Sequence, residues 1–173
     1  MQTGRWLVAT VAFLGIVPAT RALAADTTAS DLSIEYGFNR ITNGDGLNMP
    51  VGLAATFGAN VGKSFGVVAD VRWNHKSESD FSFSLTSFHA GPRFQAQGES
   101  ATFYAQGLAG ATRASGEGSS DTKFSLMPGL GVDIKVSPSV GIRVGGDFRI
   151  IFTEGEKEKD LLLHAGVVFH FGR

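Results

Sequence analysis

The segment SVGIRVGGDFRIIF, residues 139–152, limits the possible folds more than any other part of the sequence. Most of its even positions are apolar, whereas most of its odd positions are glycine or one of the charged residues Arg143, Asp147 and Arg149. Successive side chains of a β-strand point to opposite faces, so this strand has one apolar face and one charged face. The first face needs an apolar environment, and the charges on the second need partners.

Eight runs of the chain have this alternation or a strand-like composition, and turn-rich segments separate them. The runs are 31–41, 49–60, 65–75, 82–96, 101–114, 122–136, 139–153 and 160–171. Longer polar connectors (TNGDGLN, KSESDF, SGEGSSD, EGEKEK) alternate with shorter ones (VGKS, QGES, SP). This asymmetry is typical of an up-and-down barrel whose two ends face different compartments.

Two runs depart from simple alternation. In the fourth run, the apolar positions change from odd to even between Phe83 and Phe88, which predicts a β-bulge near Thr86–Ser87. In the fifth run, TFYAQGLAGAT, small residues leave the outward face undecided. Pro92 and Pro128 lie inside strands although each lacks the amide that a closed ladder would use.

The first 24 residues predict a cleaved secretory signal peptide. Arg5 ends a short basic start, an apolar run follows, and Ala22-Leu23-Ala24 is a small-x-small cleavage pattern. The run is shorter than the roughly 20 apolar residues of a membrane anchor. The predicted mature chain, residues 25–173, forms one domain.

Composition excludes several other classes of protein. Removal of Arg5 and Arg21 with the signal peptide reduces the 15 basic side chains to 13, against 16 acidic ones, and this balance argues against nucleic acid as a partner. The chain has no cysteine, which excludes both a disulfide framework and a lipoprotein anchor. No later window has the length and apolarity of a transmembrane helix, so a membrane-embedded form would have to cross as strands.

The polar faces of the strands indicate whether they line the inside of a barrel or its solvated outer surface. They are rich in Gly, Ala, Ser and Thr, with few long charged residues, and this suits the narrow interior of an eight-stranded barrel better than a solvated surface. We therefore predict an all-β, eight-stranded antiparallel up-and-down transmembrane β-barrel with a packed ion network and no open pore. The predicted lumen network consists of Glu35, Asp70, Arg72, Arg93, Lys123, Asp133, Lys135, Arg143, Asp147 and Arg149.

Aromatic residues at the strand ends predict two interfacial belts around an apolar band about 25 Å tall. The belt at the periplasmic ends contains Phe65, Phe169 and Phe171, and the belt at the opposite ends contains Trp73, Phe124 and Phe152.

Three segments, FHAGPRFQAQGESATFYAQGLAGATR, GLGVDIKVSPSVGIRV and HAGVVFHFG, resemble the outer-membrane β-barrel domain family, which includes small porin-like barrels, the transmembrane domain of outer-membrane protein A and opacity-type proteins. The resemblance implies insertion into a Gram-negative outer membrane, with outer-membrane lipid and lipopolysaccharide around the barrel and help from the barrel-assembly machinery. It implies roles from envelope support to adhesion, and no catalytic residues or cofactors. The chain departs from many such proteins because Gly172 and Arg173 follow the terminal aromatic Phe171.

The sharpest enzymatic alternative is the segment WNHKSESD. His75 and Ser77 share one strand face, and with Glu78 or Asp80 they resemble the arrangement of outer-membrane lipid A deacylases. Histidine, serine and acids are also ordinary residues of solvated loops, so we predict that the protein is not an enzyme. A lipid A-modifying hydrolase and a soluble lipocalin-like barrel remain the alternatives.

The remaining motifs predict neither a cofactor nor a metal site. VGKS lacks the glycine that a phosphate loop requires, since Phe57 occupies that position, and it reads as a turn. His164 and His170 lie too far apart along one strand to share a metal, so we expect them to form hydrogen bonds in the lumen. EGEKEK is interpreted as a solvated loop tip, with cation binding as the alternative.

Overall fold

The structure, a computed structural model, describes residues 29–42, 47–78, 81–116, 119–153 and 155–172, apart from the side chains of Leu47, Glu78 and Phe81. The predicted signal peptide and Arg173 lie outside these ranges. The strands in this part of the chain are β1 (Ser30–Ile41), β2 (Leu47–Met49), β3 (Val51–Asn60), β4 (Phe65–Glu78), β5 (Phe81–Gln97), β6 (Ala101–Gly116), β7 (Ser119–Lys135), β8 (Val140–Thr153) and β9 (Glu156–Phe171).

The strands form one closed antiparallel barrel. Strand β1 pairs with β2 and β3, each strand from β3 to β9 pairs with the next in sequence, and β1 also pairs with β9 from Ser30↔Phe171 to Ile41↔Asp160. Only Pro50 separates β2 from β3, and both pair with β1, so together they make one barrel strand. The predicted eight-stranded up-and-down barrel is confirmed. Closure leaves no sheet edge within the apolar band, where lipid could not satisfy backbone groups.

The barrel is apolar outside and polar inside. On β8, Val144 is 45% exposed, whereas Arg143 is 1% and Asp147 is 2% exposed. Most exposed large hydrophobic residues lie at outward positions, and nearly all the ionic residues of the strand centres are buried. The orientation is opposite to that of a lipocalin-like calyx, whose apolar face would point inward.

One β-bulge lies at Pro50. Met49 pairs with Asn39, whereas Leu53 pairs with Tyr36, so the β2–β3 segment has one residue more than β1 over this stretch. Pro50 contributes no N–H, and its carbonyl accepts a hydrogen bond from the Tyr36 hydroxyl. Because Pro50 lies at the bulge, its missing N–H removes no hydrogen bond from the ladder.

The predicted bulge at Thr86–Ser87 is wrong. The β4–β5 ladder runs without a break from Phe65↔Phe94 to Glu78↔Phe81, so β5 keeps one parity throughout. The apolar residues that suggested a shift point inward near the outer end, where Leu85 is buried. Met49, Ile151 and Leu162 are buried on other inward positions of the same half of the barrel.

The prolines interrupt one ladder each. The β5–β6 register passes from Ala90↔Ala109 to Arg93↔Gln106 and skips Pro92. The β7–β8 register likewise passes from Leu126↔Ile150 to Gly129↔Asp147 and skips Pro128. Each proline keeps its pairing on the other side, and therefore neither opens the barrel.

Strand β6 points Tyr104, Gln106 and Leu108 inward, which settles the face that the sequence left undecided. Its outward side carries Phe103 and then mainly alanine and glycine. The small residues are thus on the lipid side, and the large ones fill the lumen.

The outer connectors are shorter than predicted. Strands β4 and β5 are separated only by residues 79–80, and β6 and β7 only by residues 117–118. Strand β9 already begins at Glu156, so most of EGEKEK is strand and not a loop tip. The polar segments at this end extend the hairpins, and β5 and β7 reach 17 residues each, against the roughly 9–11 residues that cross a membrane.

At the other end, VGKS forms the turn between β3 and β4. Gly62 has a φ of 149°, a conformation that side chains disfavour. Among the described residues, no helix has the length and hydropathy required to cross a bilayer.

The assigned faces predict that a charge on the outward face lowers the free energy of unfolding by an amount that depends on its depth in the membrane. Val144→Arg places a guanidinium on the outward face within the apolar band, and we expect a loss of about 2–4 kcal/mol of unfolding free energy. Thr86→Arg is the control, because Thr86 pairs with Trp73 and Arg113 at the outer interface, where the expected cost is about 0–1 kcal/mol. Urea unfolding in lipid vesicles measures both variants, and equal losses would contradict the assigned depth.

Candidate functional site: the barrel lumen and its rims

The lumen contains a dense set of ionic side chains. Eight of the ten predicted network residues are buried there: Glu35, Asp70, Arg72, Arg93, Asp133, Arg143, Asp147 and Arg149. The strand alternation places them, since each lies on the inward parity of its own strand. Arg93, Arg143 and Arg149 are among the largest fully buried side chains of the described chain.

Arg143 is the centre of the periplasmic half. Its Nε lies 2.7 Å from Asp133 Oδ1, and its terminal nitrogens donate to Asp31 Oδ1 at 3.0 Å and to Ser33 Oγ at 2.9 Å. A guanidinium has five donors in a fixed planar fork, which suits it to join acids from several strands. Arg143 thus connects β8 to β7 and to β1.

Arg93 shares one of these acids. It donates to Asp31 Oδ1 at 3.0 Å and to Gln106 Oε1 at 3.3 Å. The ring of Tyr104 lies beneath both guanidiniums, with its centroid 4.8 Å from Arg93 Cζ and 5.0 Å from Arg143 Cζ. Cation–π attraction therefore adds to the ion pairs at this level.

The middle of the lumen holds a second group of ion pairs. His164 lies between two carboxylates, with Nδ1 facing Glu35 Oε2 and Nε2 3.1 Å from Asp147 Oδ2. Arg72 contacts the same Asp147 oxygen at 2.6 Å and Asp70 at 2.9 Å. The position of His164 agrees with its expected inward orientation.

These contacts close into a circuit, which we call the lumen ring. It consists of Asp31, Arg93, Gln106, Asp147, His164, Glu35 and Arg143. Gln106 completes it by donating from Nε2 to Asp147 Oδ1 at 3.0 Å. With Asp133, Arg72, Asp70 and Thr56 attached, the contacts join side chains from all eight barrel strands.

A separate ion pair lies nearer the outer end. Arg149 donates to Asp160 Oδ2 and, at 3.3 Å, to Ser87 Oγ. His89 Nε2 and Thr112 Oγ1 each lie within 3.0 Å of Ser125 Oγ. These polar groups share the outer half with the buried apolar residues described above.

Lys123 and Lys135 do not lie in this network. Lys123 contacts Asp121 at 3.3 Å at the outer rim. Lys135 donates to the carbonyls of Gly98 and Glu99 in a periplasmic turn. Long ammonium side chains near a strand end can reach the rim and keep their charge hydrated, which parity alone does not reveal.

Asp31, Asp160 and Gln106 were absent from the predicted network. Asp31 and Asp160 have inward parity, and each is the first residue of a predicted strand. Gln106 lies on β6, whose orientation the sequence did not decide. Both acids could have been found from the sequence, because each shares the parity of the inward-facing residues of its own strand.

Glycines provide the space that the network occupies. A Cβ on Gly131 would lie 2.4 Å from the Tyr104 hydroxyl oxygen, and a Cβ on Gly145 would lie 2.7 Å from His164. A Cβ on Gly129 would lie 1.7 Å from Asp147 Oδ1. The glycines of β7 and β8 are therefore part of the site.

The predicted belt aromatics lie on outward positions. Phe65, Phe152, Phe169 and Phe171 are near strand ends, whereas β4 continues beyond Trp73 to Glu78 and β7 begins before Phe124, at Ser119. Phe65, Trp73, Phe124, Phe169 and Phe171 are exposed, and Phe152 is half-buried. Phe124 packs on Phe152 with centroids 5.7 Å apart, and Phe65 packs on Phe94 at 5.3 Å.

The catalytic alternative is incomplete in the described residues. His75 stacks on the Trp73 indole at 5.4 Å, and Ser77 is exposed at the outer end of β4. The candidate acids, the side chain of Glu78 and residue Asp80, lie outside the described set. In the described ranges, no group of three or more His, Cys, Asp or Glu side chains is arranged to hold a metal.

A matched pair of glycine variants tests how tightly the lumen is packed. Gly129→Ala should lower the free energy of unfolding by about 1–3 kcal/mol, because the new methyl group displaces Asp147 from its partners. Gly107→Ala adds the same group on the outer face, where nothing lies within 4 Å, and should cost less than about 0.5 kcal/mol. Urea titration in vesicles compares them, and a similar cost at both positions would contradict the packed lumen.

Comparison with solved structures shows the same fold. Ail, the attachment invasion locus protein of Yersinia pestis in complex with the heparin analogue sucrose octasulfate, is 22% identical over 85% of this chain and 100% of that chain, with a TM-score of 0.63. Neisserial surface protein A is 18% identical over 83% of this chain and 96% of that chain, with a TM-score of 0.67. The N-terminal β-barrel domain of Pseudomonas aeruginosa OprF is 13% identical over 82% and 97%, with a TM-score of 0.55.

Comparison with curated proteins finds no match. The family model described as the outer membrane protein beta-barrel domain matches residues 9–171, nearly the whole chain. This match agrees with the closed barrel, its apolar exterior and its ionic lumen. The chain therefore belongs to the outer-membrane β-barrel domain family and is an integral outer-membrane protein.

Proposed function

We propose that the protein is a non-enzymatic outer-membrane barrel with a closed lumen, which supports the envelope and presents its outer hairpins for interactions at the cell surface. The observation that carries this proposal is the lumen ring. Its ion pairs cross the interior from wall to wall, and with the attached side chains of Asp133, Arg72, Asp70 and Thr56 the network joins all eight barrel strands. Such a lumen suits a rigid anchor better than a channel.

The space inside the barrel supports a closed lumen. A vestibule of about 330 Å³ opens at the periplasmic end, and Asp31 and Asp133, both held by Arg143, line it. Further in, the space beside Arg72 and His164 measures about 10 Å³. A single water needs at least about 10–15 Å³, so this space holds one water at most.

Conductance in planar lipid bilayers tests the closed lumen. The protein should give no steady ion current, and the double variant Arg72→Ala/Arg143→Ala should give a measurable one, because it removes the two cations that bridge the walls. Arg113→Ala is the control, since Arg113 is exposed on the outward face. A steady current through the unaltered protein would refute the proposal, with folding of every sample checked by its gel shift on heating.

The outer hairpins support a surface role. Strands β4 to β7 continue for several residues beyond the aromatic belt, and they carry mainly serine, threonine and charged side chains there. Ail, which shares this fold, was solved with a heparin analogue. The hairpins of the present chain offer a polar surface beyond the outer aromatic belt.

We also propose contacts with lipopolysaccharide. Arg40, Lys157 and Lys159 have outward parity and lie just beyond the apolar band on adjoining strands. Lys157 Nζ lies 5.5 Å from the centroid of the Phe152 ring, at the level of the outer aromatic belt. Cations at this depth suit the phosphates of the outer leaflet.

The barrel-assembly machinery is the proposed partner during insertion.

A lipid A-modifying hydrolase is the competing function, and substitution tests it. His75→Ala and Ser77→Ala should leave the lipid A species of the host cell unchanged in mass spectra, as should deletion of the protein. Deacylated lipid A that depends on His75 and Ser77 would instead identify the protein as an enzyme.

A further inference from the structure

The vestibule at the periplasmic end of the barrel has the size of a ligand site. It measures about 330 Å³, and residues of the six strands β1, β3, β5, β6, β7 and β9 form most of its lining. Pockets that bind small molecules measure about 300–1,000 Å³, so the vestibule has room for a ligand of one or two rings. It is reached from the periplasm, because the buried ion pairs of the lumen ring begin at Asp31, which is part of its lining.

Two buried carboxylates form the floor of the vestibule. Asp31 and Asp133 are 3% and 5% exposed. Arg143 donates from Nε to Asp133 Oδ1 at 2.7 Å and from a terminal nitrogen to Asp133 Oδ2 at 2.8 Å. Asp31 Oδ1 accepts from Arg93 and from Arg143, at 3.0 Å each. Because a carboxylate oxygen has two lone pairs, Asp133 can accept a further hydrogen bond at each oxygen while Arg143 holds it in place.

Beside Asp133, the wall of the vestibule presents polar side chains on three adjacent strands. The register pairs Gln97 of β5 with Thr102 of β6, and Thr102 with Asp133 of β7. All three residues have inward parity and line the vestibule, and we call them the polar row. Adjacent strands lie about 4.7–4.9 Å apart, so the row offers hydrogen-bonding groups at intervals close to the width of one pyranose ring.

The fold does not use the neutral polar side chains of the vestibule. In the part of the chain that the structure describes, the side chains of Ser30, Asn60, Gln97 and Thr102 make no hydrogen bond to the protein. Hydroxyl and amide groups can both donate and accept hydrogen bonds. A ligand can therefore bond to these groups without displacing another residue.

The charges around the vestibule already have partners. Asp31 and Asp133 pair with guanidiniums, and the Lys135 ammonium donates to the carbonyls of Gly98 and Glu99. A cationic ligand would have to approach the arginines, and an anionic ligand would have to approach the carboxylates. Burial of a charge without a partner is costly. An uncharged ligand with several hydroxyl groups avoids both costs.

We propose that the vestibule binds an uncharged saccharide of one or two rings, which arrives from the periplasm either as a free sugar or as the end of a longer glycan. Its hydroxyl groups donate to Asp133 and exchange hydrogen bonds with Gln97 and Thr102. Each hydroxyl can donate one hydrogen bond and accept others, which suits this mixture of carboxylate, amide and hydroxyl groups. The ligand goes beyond the function proposed above, and its binding does not depend on that function.

Saturation-transfer NMR titration tests whether a sugar binds. The protein, residues 25–173, is reconstituted in phospholipid nanodiscs, which leave both ends of the barrel open to solvent. The probes are the neutral disaccharides maltose, trehalose and N,N′-diacetylchitobiose. At least one of them should bind in the millimolar range, and binding of none of them would overturn the inference.

Two variants of the barrel locate the site. Gln97→Leu/Thr102→Val removes two groups of the polar row and should weaken binding about tenfold or more, because each loses the equivalent of one hydrogen bond. Ser100→Ala is the matched control, since it removes a hydroxyl from the β5–β6 turn outside the lining, and it should bind within about twofold of the unaltered protein. Equal binding by the two variants would contradict the assigned site, with folding checked by the gel shift on heating.

Charged analogues test the absence of an unpaired charge in the vestibule. Glucose should bind at least about threefold more tightly than glucuronate or protonated glucosamine, because either charge would meet a like charge at the floor. This comparison uses the unaltered protein and therefore decides the result even if a variant does not fold. Tighter binding of either charged sugar would show that the vestibule is an ion site, and the inference would be wrong.

Maltose and maltohexaose distinguish the two sources of the sugar. Tighter binding of maltohexaose would identify the ligand as the end of a longer glycan, whereas equal or weaker binding would identify it as a free sugar. Either result agrees with the inference if the polar row is required. A barrel that binds no sugar and still conducts no current leaves the proposed function standing.

Discussion

The ion pairing of the lumen is the interaction on which the rest of the structure depends. Six carboxylates and four guanidiniums are buried there, and an unpaired charge in so narrow a space would cost several kcal/mol. Each acid of the lumen ring is contacted by a guanidinium from another strand, so the charges hold the wall in one arrangement. The apolar exterior determines which environment the barrel occupies, and the ionic interior determines its shape.

Space in the lumen follows from the same requirement. Arg143 reaches acids on two neighbouring walls because glycines of β7 and β8 leave room for Tyr104, His164 and Asp147. Larger residues at those positions would push the carboxylates from their partners. The abundance of glycine in this chain therefore reflects packing around large ionic side chains as well as turns.

Much of the fold could be predicted from the sequence, because a period of two in a strand has a direct structural meaning. The alternation of β8 assigned its two faces correctly, and the number of strands followed from the punctuation between runs. The failures have local causes. Phe83 and Leu85 suggested a bulge because an apolar residue was equated with a lipid-facing one, whereas Leu85 is buried inside the barrel. Lys123 and Lys135 have inward parity, yet their long side chains place the charges at the rims. The polar composition of EGEKEK concealed a strand that continues above the membrane.

The tight outer hairpins also affect how the protein meets its surroundings. A protease binds its substrate as an extended, unpaired segment, and an inserted epitope needs a flexible connector to accommodate it. Strands β5, β6 and β7 offer little of either where they are described, because their outer ends are hydrogen-bonded to at least one neighbour. On intact cells, the described outer ends of β5, β6 and β7 should therefore resist digestion and tolerate few insertions. The periplasmic turns, although similarly short, are shielded by the membrane from the enzymes that would attack them.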